Sequence, residues 1–183
     1  MALALLLGCI GIAGIEVQAS AQPAAGARLE RSVKAAFLYK FLGYAEFPPA
    51  SFATPSTPLT IGVVGADALA AELTRIVAGR TAQARPIVVK TLRENEAVAG
   101  VHLLFVGGED GARLRAILNS GVPPRMLVVT ESDNGLQPGS VINFKIVEER
   151  VRFDVSLEAA TRNSVKLSSR LLTVANHVHK GAP

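Results

Sequence analysis

Apolar and polar positions along the chain change rhythm several times. Val33, Phe37, Phe41 and Tyr44 recur at i, i+4, i+8 and i+11, with Leu38, Leu42 and Ala45 alongside, which predicts an amphipathic helix. Ser32 is placed to cap it, and Pro48-Pro49 must end it, because a proline pushes the preceding residue out of helical geometry. "PPASFATPSTP" then reads as a loop. Continuous apolar runs follow at 59–65, 85–92, 101–108 and 125–132, each of strand length and suited to burial on both faces. Between the first two, Leu69, Leu73, Ile76 and Val77 fall on one helical face, with Asp67 as cap and Gly79 as stop. Residues 112–121 predict a second crossover helix, and 93–99 have room for a short one.

From residue 140 the runs give way to strict alternation. Ile142, Phe144 and Ile146 share one face, as do Val151, Phe153 and Val155. A turn at Glu148-Glu149 would set Phe144 against Phe153, Ile142 against Val155 and Ile146 against Val151, so that both sets meet one core. The turn lacks the Asn-Gly signal, so two-residue and four-residue loops in this register remain open. The last segment, "NSVKLSSRLLTVANHVHK", places Leu167, Leu171, Val174, Ala175 and Val178 on one stripe, which predicts a docked C-terminal helix. The fold class is a three-layer α/β domain with a mainly parallel sheet, a C-terminal antiparallel hairpin and that helix.

Composition sets limits. The chain has 183 residues, 49% hydrophobic and 19% charged, enough for a single core and against disorder. The first 21 residues combine an apolar run with Ala19-Ser20-Ala21, the small-residue pattern of a cleaved secretory signal. "LLGC" ending at Cys9 offers a rival reading as a lipidated N-terminus. Cleavage after Ala21 removes the sole cysteine and Glu16, raising the formal charge from +4 to +5 and leaving no thiol for a disulfide or a thiolate metal site. Residues 22–30 then read as a flexible leader and 31–179 as one domain. The basic residues form no block interleaved with aromatics, so no nucleic acid is expected.

Chemistry is sparse. In parallel α/β sheets ligands bind at the carboxyl ends of strands, which here carry Gly65-Ala66-Asp67, Gly107-Gly108-Glu109-Asp110-Gly111 and Thr130-Glu131-Ser132-Asp133. Gly65, Asp67, Gly107, Gly108 and Ser132 are the candidates for a ligand loop, although capping and tight turns explain them more simply and neither nucleotide-binding glycine motif is present. The carboxylates of these loops, Asp67, Glu109, Asp110, Glu131 and Asp133, could form a divalent-cation or phosphoacceptor pocket, but solvated helix caps explain them more simply. His102 reads as a satisfied interior residue. His177 and His179, on a helix end, would point to different sides, and no third ligand is signalled, so no metal is expected. No triad or nucleophile elbow appears; neither an enzyme nor a cofactor is expected.

"VKAAFLYKFLGYAEFP" together with "VRFDVSLEAATRNSVKLSSRLLTVA" resembles the YfiR family of exported proteins, and the segments between fall in that family's order over about residues 31–178. Phe47 stands where the family usually has Trp, Ser156 where Asn is common, and Asn163-Ser164-Val165 in place of a Gly-Leu step. The resemblance implies a non-catalytic periplasmic repressor. Its partners would be the periplasmic sensor domain of an inner-membrane diguanylate cyclase and a sequestering protein associated with the outer membrane. A homodimer is also implied. The rival function is a small-molecule-binding domain that tunes a sensor kinase or transport system. Redox control by paired cysteines is not expected here. For partner contact the polar positions Arg152, Asp154, Arg162, Lys166 and Arg170 are the candidates, with Tyr39, which falls off the stripe of the first helix; an ordinary solvated face is the alternative.

Overall fold

The computed structural model describes residues 21–93, 96–108, 115–116, 125–133, 136 and 139–181. In chain order its elements are α1 (Ala21–Tyr44), β1 (Ala45–Glu46), a 3-10 turn (Pro49–Ser51), β2 (Leu59–Val64), α2 (Asp67–Val77), β3 (Thr81–Ala82), β4 (Arg85–Leu92), β5 (Leu103–Val106), β6 (Leu127–Thr130), β7 (Ile142–Val147), β8 (Arg150–Ser156), α3 (Leu157–Arg162), β9 (Lys166–Leu167), α4 (Ser169–Val174) and β10 (His177–His179).

β2, β5 and β6 are buried at every position, as continuous apolar runs require. They lie at the centre of an eight-stranded sheet ordered β10-β8-β7-β6-β5-β2-β4-β3; β1 and β9 form a separate antiparallel pair. The ladders from β4 through β2, β5 and β6 to β7 are parallel, and so is β8 with β10. The fold is therefore the mainly parallel α/β arrangement with an antiparallel hairpin that the apolar pattern predicts. Alternate residues feed two clusters. Ile61, Val63, Leu103, Phe105, Leu127 and Val129 pack with α1 and α2 on one face, whereas Val64, Leu104, Val106 and Val128 join Leu92, Val98, Val101 and Met126 on the other. The predicted helix at 112–121 lies outside the described residues except for Arg115 and Ala116, which are helical; of the 93–99 connection, the described part forms turn and coil.

The hairpin has the expected register, with Phe144 opposite Phe153 and Ile146 opposite Val151. The tighter of the two loops is present. Glu148 and Glu149 adopt φ of 49° and 58°, the left-handed pair that matches the twist of the strands it joins. A second such turn at Gln83 and Ala84 (φ 52° and 59°) joins β3 to β4. Gln83 Nε2 there donates to the carbonyls of Leu42 and Ala45, both at 2.6 Å, and so holds the C-terminus of α1.

Three local expectations are corrected. The flexible leader at 22–30 is helical, as part of α1; its alanines, Arg28, Leu29 and Glu30 favour helix. Ser32 is consequently interior to the helix, and its hydroxyl donates to Glu72 Oε1 at 2.9 Å. Asp67 is the first residue of α2 behind Ala66, and makes no capping bond.

The long C-terminal helix is replaced by β9, α4 and β10. Ser164 takes φ 53° after α3, Ser168 caps a new helix by accepting from the Leu171 N–H, and Ala175 turns extended. The Asn176 N–H then donates to the Phe153 carbonyl at 2.8 Å, which starts β10 along β8.

Candidate functional site

Among the described residues, the strand-end crevice is partly filled by the protein's own side chains. A Cβ on Gly107 would stand 2.8 Å from Ala66 Cβ and 3.0 Å from the Gly65 carbonyl oxygen, so the loops after β2 and β5 are in direct contact at Gly107. The Gly108 N–H donates to Glu131 Oε1 at 3.0 Å, and Lys34 Nζ donates to Glu131 Oε2 at 2.7 Å. Glu131 thus fills the place where this fold offers backbone N–H groups to an anion. Lys34 is buried and also holds Glu30 at 2.5 Å. Burial alone would lower the pKa of its ammonium, but the two carboxylates outweigh it and hold the group above its ordinary value.

Ser132, also a loop candidate, is buried and is positioned by Asn143. Asn143 Oδ1 accepts from the Ser132 N–H at 2.9 Å and from the Thr130 hydroxyl at 2.8 Å. Its Nδ2 donates to the carbonyls of Ser132 and Phe144 at 2.9 and 3.0 Å. Gly65 and Gly108 take φ of 70° and 91°, as turns require. Asp67 lines a 290 Å³ opening beside Lys34, and Asp133 a 370 Å³ opening on the other side of it. Glu109 and Asp110 lie outside the described residues.

At the opposite end of the sheet His102 ties down the proline-rich loop. Its Nδ1 accepts from the Thr60 N–H at 3.1 Å, which leaves the proton on Nε2, 3.2 Å from the Ser51 carbonyl. Phe52 stacks on the imidazole at 4.7 Å, Phe47 meets it edge-on at 5.7 Å, and the Arg85 guanidinium lies 3.9 Å from the Phe52 ring centre. Burial lowers the pKa of His102 below its ordinary value; Arg85 adds to this, against the Ser51 bond, which raises it.

Among the partner-contact candidates, Arg152 and Asp154 share β8 but not a state of exposure. Arg152 is exposed opposite Lys145 in the ladder, whereas Asp154 is 4% exposed. Asp154 is held by Lys145 Nζ at 2.6 Å and Asn176 Nδ2 at 2.9 Å. Burial raises its pKa, but these partners and the charge of Lys145 outweigh that and keep it below its ordinary value. Arg162 pairs with Glu158 at 2.8 Å, Lys166 stands opposite Glu46 between β9 and β1, and Arg170 is exposed on α4. Tyr39 is partly buried, with the Arg80 guanidinium 5.4 Å from its ring centre. His177 and His179 lie on strand β10, not on a helix, so they share a face with ring centres 6.3 Å apart. Among the described residues no group of three or more His, Cys, Asp or Glu is placed to hold a metal ion, and no helix is long and apolar enough to cross a membrane. Residues 1–20, which carry the signal and Cys9 readings, lie outside the described residues.

These titrations have a sign that can be tested. His102 and Asp154, both lowered, contribute stability above their ordinary pKa values of 6.5 and 3.8, and the contribution is lost as pH falls through the lower folded values. Lys34, raised, contributes below 10.5 and loses that contribution as pH rises through its higher folded value. Urea midpoints should therefore plateau between about pH 7 and pH 10 and fall on both sides. His102→Gln should flatten the first part of the acid limb; parallel slopes for both proteins between about pH 7 and pH 5 would contradict the assignment.

The feature that sequence reasoning missed is a groove between α1 and the hairpin. Five large hydrophobic residues are exposed among the described ones, and four of them, Leu29, Tyr44, Ile146 and Val174, line it. One part, of 740 Å³, runs from Gly26 and Leu29 past Val33 and Phe37 to Ile146 and Val151. The adjoining part, of 300 Å³, shares Phe37, Val151 and Arg152 with it and continues to Tyr44, Leu171 and Val174. Tyr44, expected in the core, is instead 37% exposed as the last residue of α1, at the rim of the groove. The alternation of β7 and β8 carried the signal for Ile146 and Val151; what it lacked was how much of that face α1 would cover.

The sequence profile of the YfiR/HmsC-like family matches residues 31–176. A comparison with curated proteins finds no match.

Proposed function

The chain belongs to the YfiR/HmsC-like family, and we propose from that membership that it is a non-catalytic periplasmic regulator of cyclic-di-GMP signalling. It binds the periplasmic sensor domain of an inner-membrane protein, a diguanylate cyclase, and represses it. The observation that carries this reading is the family match from residue 31 to residue 176, which spans all of the sheet except β10 and most of α1. The strand ends support it too, since the Gly108 N–H that could face a substrate there is already taken by Glu131, itself paired with Lys34. In physical terms the regulator lowers synthesis by binding the inactive state of the sensor more tightly than the active one. Release follows when a protein associated with the outer membrane competes for it.

Deletion of the gene should raise cellular cyclic-di-GMP, and the purified chain should bind the isolated periplasmic domain of a membrane cyclase from the same cell. Unchanged cyclic-di-GMP together with no binding would overturn the proposal.

A further inference from the structure

We infer that the groove between α1 and the β7–β8 hairpin is the docking site for an apolar, acidic segment of a partner protein. This deepens the regulatory reading and rests on it for the existence of a partner, but the surface and its chemistry follow from the groove itself. Leu29 is 66%, Val174 59% and Ile146 49% exposed around a recessed floor that includes Phe37 and Val151. Four of the five exposed large hydrophobic residues among the described ones lie in this groove, and apolar surface concentrated in this way marks a place where water is displaced by a partner. The hairpin leaves this side open. β10 pairs with β8 only at Asp154–Ser156, so Val151 and Arg152 have no strand beside them on that edge among the described residues.

Charge selects the occupant. Lys40, Arg150 and Arg152 line the groove, and none of the three makes an ion pair among the described residues. Of the two carboxylates in the lining, Glu30 is held by Lys34, which leaves Glu149. A partner with aspartates or glutamates flanking its apolar side chains gains attraction on approach and pairs these cations once bound; a basic one meets repulsion. A second copy fits poorly, because a two-fold contact would set the same basic patch against itself. An anionic membrane would match the charge but not the shape, since the apolar floor lies in a recess.

The test uses two labelled amphipathic peptides with one leucine pattern, their polar faces glutamate in one and lysine in the other, titrated into the purified chain by fluorescence anisotropy. The glutamate peptide should bind at least about tenfold more tightly. Ile146→Ser with Val174→Ser should weaken it about tenfold. Lys40→Glu with Arg152→Glu should reverse the preference between the peptides. All four residues are exposed, and unchanged thermal melts would confirm folding of the variants. Equal binding of both peptides would overturn the inference, as would indifference to these substitutions. So would a dimer that Ile146→Ser dissociates, or anionic vesicles competing the peptide away. The two readings fail separately. Variants that fully restore repression in a deletion strain would remove the groove and leave the regulator, whereas a deletion without effect on cyclic-di-GMP would remove the regulator and leave the peptide result to decide the groove.

Discussion

Asn143→Leu is expected to lower the free energy of unfolding by about 3 kcal/mol, read as a shift of the urea midpoint with little change in slope. The side chain is fully buried and makes four hydrogen bonds, two accepted from Thr130 and Ser132 and two donated to the carbonyls of Ser132 and Phe144. Leucine has nearly the same volume, so the loss reports polar satisfaction more than a cavity. At about 1 kcal/mol of net value for each bond, and with some return from the buried leucine, about 3 kcal/mol remains. Asn143→Asp separates the causes. It keeps the acceptors but places a carboxylate in a site without a cation, where burial raises its pKa, so its deficit relative to the native chain should shrink as pH falls. A cost below about 1 kcal/mol for Asn143→Leu would mean that the carboxyl end of β6 is positioned by something else. The consequence reaches the crevice, because Glu131, next to Ser132, must be in place to accept from Lys34 and the Gly108 N–H.

The elements that could be read from the sequence are those whose partners lie close by in it or whose pattern admits one period. The bounds of β4 are the predicted ones, and the hairpin register follows from alternation around two adjacent residues. The C-terminal segment departs from its helical pattern for a physical reason. Leu167, Leu171, Val174 and Val178 fit a helical period, but β9 and β10 are two and three residues long, too short for alternation to show. What divides the segment is capping by Ser168 and the bonds that Asn176 makes to β8. The crevice was hidden in another way. Its loops were visible, and so was their acidity, but the cation that pairs with Glu131 stands 97 residues earlier, inside the first helix. Local pattern says which residues share a face and is silent on how far two faces overlap, which is why it places Tyr44 and Ile146 in the core although both are exposed.

Phe41→Ala should have the largest effect, about 4 kcal/mol, because it combines a large cavity with the loss of aromatic packing. Phe41 is 1% exposed, with ring centres 5.1 Å from Phe153, 5.7 Å from Phe144 and 5.8 Å from Phe37. Together with Phe37, whose ring lies 6.0 Å from Phe144 and 5.5 Å from Phe153, it packs α1 against both strands of the hairpin. For a domain of this size, about 4 kcal/mol is a large share of a total that runs from roughly 5 to 15 kcal/mol. Phe41→Leu should cost about 1.5 kcal/mol, since it refills most of the volume without the ring contacts. Phe37→Ala should cost less than Phe41→Ala, because Phe37 already borders the groove and loses less burial. The two alanine substitutions touch the same rings, so their combined cost should depart from the sum, and strict additivity would show that the cluster does not act as one unit. The pair also separates stability from docking. Phe41 is buried and borders only the smaller part of the groove, whereas Phe37 lines both parts. If the groove receives a partner, Phe37→Ala should weaken the glutamate peptide at a temperature where both proteins remain folded, and by more than its modest stability cost would suggest.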